Sequence, residues 1–110
     1  MPGDGKPIGH VKFSRYSCDI FAHRYRGGGG VALELIEQGT GQPVAVATVN
    51  MPEAPREGCV WAKDWMENEG LMAEMTAAKI WAPTGRTAPS GHVLVYECRL
   101  LAEIPGEQEG

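Results

Sequence analysis

Three cysteines (Cys18, Cys59, Cys98), three histidines (His10, His23, His92) and a run of carboxylates (Asp64, Glu67, Glu69, Glu74) are the residues of this 110-residue chain that could do chemistry. A thiol nucleophile needs an imidazole within hydrogen-bond reach. Cys98 with His92 or His23 would be that pair, but no strand-turn-helix elbow or oxyanion loop surrounds it. A metal site would draw on Cys18, His23 and Cys98, yet no two histidines stand at i, i+4 and no cysteine pair has the CxxC spacing of a zinc or redox site. Reduced thiols at strand positions are the expected state, with no metal, no cofactor and no catalytic residue.

Asp64, Glu67 and Glu69 sit in KDWMENEGLM, Lys63 to Met72, with Glu74 two residues beyond it, and the four carboxylates admit three uses: a general-acid pair, the charged start of a helix, or a recognition surface. Asn68 is a favourable N-cap, and Glu69 in a first turn complements the positive end of a helix dipole. Acidic groups beside Trp65, Met66 and Met72 combine aromatic anchoring with negative charge, a combination suited to protein interfaces. Trp65 has no evident core slot and reads as exposed, whereas Trp61 and Trp81 read as core residues bracketing the helix. Arg86 stands among small residues in PTGRTAPSG and reads as a loop arginine, either solvated or in contact with a partner or a phosphate. The expected partner-binding set is therefore Asp64, Trp65, Glu67, Glu69, Glu74 and Arg86.

Charge divides along the chain. Residues 1 to 27 hold five basic against two acidic side chains, a net of +3, and the remainder holds five against twelve, a net of −7, for a total of −4. An acidic body favours docking on a basic protein surface. The basic first segment, with Lys12, Arg15, Arg24 and Arg26, keeps nucleic-acid binding as the alternative. GGGG at 27 to 30 lacks the Lys-Ser or Lys-Thr step of a phosphate loop and is followed by a strand, so it reads as a connection.

These residues must be positioned by a single domain, since 110 residues with 43% hydrophobic content can bury one core and not two. Residues 1–10, rich in Gly and Pro, read as a disordered arm, and 102–110 as a flexible tail. Tyr16, Cys18, Ile20 and Ala22 alternate with Arg15, Ser17, Asp19, Phe21 and His23, predicting one long or bent strand over 11–25. VALELIEQ and PVAVATVNM around the Gly-Thr-Gly turn predict a hairpin, and CVWAKD a further short strand. Apolar spacing predicts one amphipathic helix over Glu69 to Lys79. Two prolines and two glycines in ten residues make 82–91 a loop, leading to a final strand, HVLVYECRLL, apolar on both faces and therefore central. The fold class is α+β: a mostly antiparallel sheet of about five strands, residues 11–101, with one helix packed on one face. No apolar run reaches the length of a membrane span and the first residues lack a signal-peptide core, so a cytoplasmic protein is expected.

The segments ATVNMPE, KDWMENEG and PTGRTAPSGHVLVYECRL resemble a small uncharacterised domain family of plasmids, integrative elements and phages, whose pattern runs TVN, KDYSENEGM, a helix, PTGR and a strand ending in CRL. The resemblance covers roughly Val31 to Leu101. Lys63, Asp64, Glu67, Asn68, Glu69 and Gly70 keep the motif, while Trp65 and Met66 replace its Tyr and Ser and so remove the tyrosine hydroxyl. The resemblance implies a mobile-element accessory protein and brings no established catalytic residues to carry over. By analogy with anti-CRISPR proteins, its partner would be a host protein complex such as a CRISPR effector or nuclease, with a homodimer as a further arrangement.

Overall fold

The computed structural model describes residues 6–24 and 30–102, apart from the side chain of Glu67. Among the described residues, seven strands and one α-helix run in the order β1 (Gly9–Phe13), β2 (Tyr16–Arg24), β3 (Val31–Glu37), β4 (Pro43–Val46), β5 (Cys59–Ala62), α1 (Leu71–Ala77), β6 (Trp81–Ser90) and β7 (Val93–Leu100), with a 3-10 turn at Met66–Asn68 before the helix. All strand pairs are antiparallel, so the α+β class holds. The strands form two sheets rather than one, in the orders β1-β2-β3-β4 and β5-β7-β6.

The stretch expected as one strand over 11–25 is a hairpin. Phe13 pairs with Tyr16 around the two-residue turn Ser14-Arg15, and Ser14 takes a φ of 59° that serine rarely adopts. The alternation beyond the turn is as expected, with Cys18 and Ile20 buried. Of the arm expected over 1–10, residues 1–5 lie outside the described residues, but its end is ordered by the hairpin: β1 begins at Gly9, and the Ile8 amide donates to Ile20 O at 2.8 Å. A Cβ at Gly9 would meet Cδ1 of Ile80, so a larger residue there would make the end of that side chain shift.

The β3–β4 hairpin forms around the Gly-Thr-Gly turn, and its second strand then changes sheets. Ala47 N donates to Leu33 O at 2.8 Å, whereas Ala47 O accepts from Lys63 N at 2.9 Å and Thr48 bridges Ala62. Residues 47–49 thus join the two sheets. At the other end, α1 packs against β1 and β6, the outer strands of the two sheets, instead of roofing one sheet. Leu71 and Met75 of the helix enter a core that includes Val11, Ile20, Leu33, Leu35, Val60, Trp81 and Cys98.

The segment expected as a loop over 82–91 is strand β6. Its prolines, Pro83 and Pro89, are tolerated because β6 is an edge strand, and its pairing with β7 shifts between Pro83 and Thr87, where Gly85 has a φ of 96°. Strand β7 is central, as its two apolar faces required. Tyr96, Cys98 and Leu100 face the main core, while Val95 packs with Trp61 and Ala88 on the other side.

The helix start also differs from expectation. The N-cap of α1 is Gly70 at φ 89°, Glu69 lies before the helix, and the helix is shorter at both ends than 69–79. Asn68 is 1% exposed and does not cap; its Nδ2 donates to Val46 O at 2.7 Å. The capping carboxylate is Asp64, whose Oδ1 accepts from Met72 N at 3.0 Å. At the far end, Ile80 N donates to Met75 O and Lys79 N to Thr76 O, each at 3.0 Å, with Lys79 at φ 63°. This is a Schellman closure in which lysine occupies the left-handed position usually given to glycine. No helix among the described residues is long and apolar enough to cross a membrane.

Candidate functional site

The outer face of the β5-β7-β6 sheet carries the densest polar constellation among the described residues. Strand alternation puts Trp61 of β5 opposite Glu97 of β7, and the 52–58 segment folds over them, with Trp61 Nε1 donating to Glu53 O at 2.7 Å. Glu97 is fully buried. Its Oε1 accepts from Arg56 Nε at 2.9 Å, Arg56 Nη2 at 2.5 Å and Thr84 Oγ1 at 2.7 Å. Its Oε2 accepts from the Arg56 amide at 3.0 Å and Arg86 Nη1 at 2.8 Å. Arg86 in turn donates through Nη2 to Glu53 at 2.5 Å, and its guanidinium lies 5.1 Å from the centre of the Trp61 ring.

The hydrogen bond from Arg56 holds the Glu97 carboxyl well below the usual carboxylate range, against the opposing effect of burial; Thr84 and Arg86 add to the shift. A carboxylate so occupied has no lone pair left to take a proton and carries none to give. The constellation is a fastener that holds the 52–58 segment to the sheet. Arg56, Glu97, Glu53 and Thr84 escaped the sequence reading, although a glutamate inside the apolar strand VLVYECRL is a usable signal: buried there, it requires a cation.

The expected partner-binding residues are dispersed by this architecture. Arg86 is not a solvated loop arginine but a β6 residue held by two carboxylates. Asp64 is engaged as the helix cap. Trp65 is half-buried, packed on the Trp61, Ala88 and Val95 cluster with Lys63 Nζ 5.9 Å from its ring centre, so it is not the free aromatic that was expected. The neighbouring Met66 is the exposed one, at 77% and with a φ of 57°. The Glu67 side chain lies outside the described residues. Glu69 and Glu74 are both exposed and come together at a depression walled by Phe13, Tyr16 and Val44, where the β1–β2 turn meets the start of α1.

The basic set is split as well. Lys12 and Arg15 lie at the β1–β2 turn, with Arg15 5.9 Å from the centre of the Tyr16 ring, while Arg24 ends β2. Nine strand residues place Tyr16 and Arg24 about 26 Å apart. Arg26 lies outside the described residues.

The thiols are free and buried. Burial first, then the charges of Cys59, Glu97 and Asp64, pushes Cys98 up to about 12, and burial raises Cys18, so both are protonated at neutral pH. His10 bonds Asp19 at 2.6 Å through Nδ1, with Gln38 Nε2 donating to the same carboxylate at 2.8 Å. His23 faces Glu34 at 3.8 Å, and His92 is exposed in the β6–β7 turn. Among the described residues no three His, Cys, Asp or Glu side chains are grouped to hold a metal ion.

No family model matches the chain, and neither the curated proteins nor the solved structures give a match.

Proposed function

We propose that the chain is a non-catalytic accessory protein that docks on a basic surface of another protein through the depression between the β1–β2 turn and α1. One observation carries this reading: Phe13, Tyr16 and Val44 present half-buried apolar walls to a mouth bordered by the exposed Glu69 and Glu74. Apolar walls accept the aliphatic stem of a lysine or arginine and the carboxylates accept its head. The acidic balance of residues 28 to 110 supports the same polarity of partner. Met66 adds an exposed, adaptable apolar side chain three residues before Glu69.

The resemblance to the mobile-element domain supplies the class of partner: a host defence complex, inhibited by occlusion in the manner of an anti-CRISPR protein. The test is nuclease inhibition by the purified chain against purified host CRISPR effector complexes. Wild type should inhibit, and Glu69→Lys with Glu74→Lys should not. Equal inhibition by both, or none by the wild type, contradicts the reading. Nucleic-acid binding by Lys12, Arg15, Arg24 and Arg26 is the weaker alternative, because Lys12 and Arg15 stand at the opposite end of β2 from Arg24 and do not form one tract with it.

A further inference from the structure

We infer that the depression between the β1–β2 turn and α1 selects arginine: its occupant is the guanidinium of a partner protein's side chain, in preference to the ammonium of a lysine. The inference rests on the docking reading above and deepens it. Phe13 and Tyr16, paired across the β1–β2 turn, contribute the aromatic walls, and Glu69 and Glu74 the charge. The Glu74 amide donates to Gly70 O at 3.3 Å, which sets the two glutamates about a helical turn apart. No wall is basic. Arg15 lies 5.9 Å from the centre of the Tyr16 ring but does not line the depression, and the ion pairs of the described residues involve neither Glu69 nor Glu74.

Elsewhere in the fold the same chemistry is already assembled within the chain. Arg86 donates through Nη1 to Glu97 at 2.8 Å and through Nη2 to Glu53 at 2.5 Å, while its guanidinium lies 5.1 Å from the centre of the Trp61 ring. Two carboxylates from separate segments thus share one planar fork beside an aromatic ring. In the depression this chain supplies the carboxylates and the rings, and the partner supplies the fork. A guanidinium suits these walls better than an ammonium for two reasons. Its N–H groups diverge in a plane and can reach two carboxylates at once, whereas an ammonium is a compact point charge. It is also more weakly hydrated, so seating it against Phe13 and Tyr16 strips away less tightly held water.

The test uses the full isotope-labelled chain and three blocked pentapeptides, in which arginine, lysine or citrulline stands between two pairs of glycines, each titrated at low salt and followed by NMR. Saturable shifts at Phe13, Tyr16, Val44 and residues 69–74 are expected with both cationic peptides. The arginine peptide should bind about five- to tenfold tighter than the lysine peptide, the range of one arginine–aromatic contact, and the citrulline peptide should not saturate. Phe13→Leu and Tyr16→Leu keep the wall apolar but remove a ring, and each should narrow that ratio; Glu57→Gln, in the 52–58 segment, should leave it unaltered. Dispersion of the amide spectrum checks that each variant folds. Lysine binding as tightly as arginine at the same amides overturns the selectivity and leaves the docking reading standing. Saturation by citrulline, or no shift at those amides with either cation, overturns both.

Discussion

Arg56 grips Glu97 from both sides of one residue: its guanidinium closes on Oε1 through Nε and Nη2 while its own backbone amide closes on Oε2 at 3.0 Å. Side chain and main chain of a loop residue thus converge on a single buried carboxylate. The 52–58 segment is held to β7 by that grip, and Arg86 completes it from β6.

Removing a partner from a buried charge leaves the charge uncompensated, and the loss exceeds that of a surface ion pair. Arg86→Met keeps the contact with Trp61 but withdraws one donor from Glu97. It should lower unfolding free energy by about 1–3 kcal/mol in urea titration. A loss below a few tenths would show that Arg86 is a surface ornament.

The same carboxylate fixes a pH dependence. Its folded pKa is depressed below the ordinary 4.5, so its stabilising contribution is full above that value and is lost as pH falls through and below it. The stability gap between wild type and Glu97→Gln should therefore be widest at neutral pH and narrow progressively in acid. Chemical denaturation at several pH values measures the gap, and a gap that widens in acid would refute the sign.

Asp64 caps α1 from outside the helix, seven residues before its first turn begins. Asp64→Ala should cost about 1 kcal/mol, the ordinary size of a lost cap. The thermal midpoint should fall accordingly, and hydrogen exchange at Met72 should rise. Unchanged protection of the Met72 amide would show that the cap is not made in solution.

Lys79 holds the left-handed position of the Schellman closure at φ 63°. Relief of that strain should make Lys79→Gly stabilising by about 1 kcal/mol, an unusual outcome for a glycine substitution. Equilibrium unfolding decides the sign.

Much of the frame was legible. Val31, Leu33 and Leu35 alternate cleanly beside a Gly-Thr-Gly turn, and VLVYECRL is apolar on both faces, so the β3–β4 hairpin and the central β7 follow from period-2 physics alone. The β1–β2 turn was hidden because Ser14-Arg15 carries none of the Asn or Gly residues that a left-handed step normally selects. Strand β6 was hidden by its own prolines, which exclude a central strand but not an edge with a bulge. The helix motif misled at atomic detail: Asn68 has the chemistry of a cap, yet Gly70 and Asp64 perform it while Asn68 is buried against β4.

The site was legible only in part. Glu69 and Glu74 were singled out, but Phe13, Tyr16 and Val44, which wall the same depression, lie far away in sequence and meet it only through the packing of α1 on β1. Trp65 and Arg86 were drawn inward by the Trp61 cluster and by Glu97, two long-range partners that no local pattern announces.

The most direct test of the proposed docking surface is an NMR titration of the full isotope-labelled chain with a lysine-containing peptide. Amide shifts should concentrate at Phe13, Tyr16, Val44 and residues 69–74, and should vanish in the Glu69→Lys, Glu74→Lys variant. Shifts spread evenly over the surface, or gathered on the β5-β7-β6 face and retained in that variant, would contradict the account.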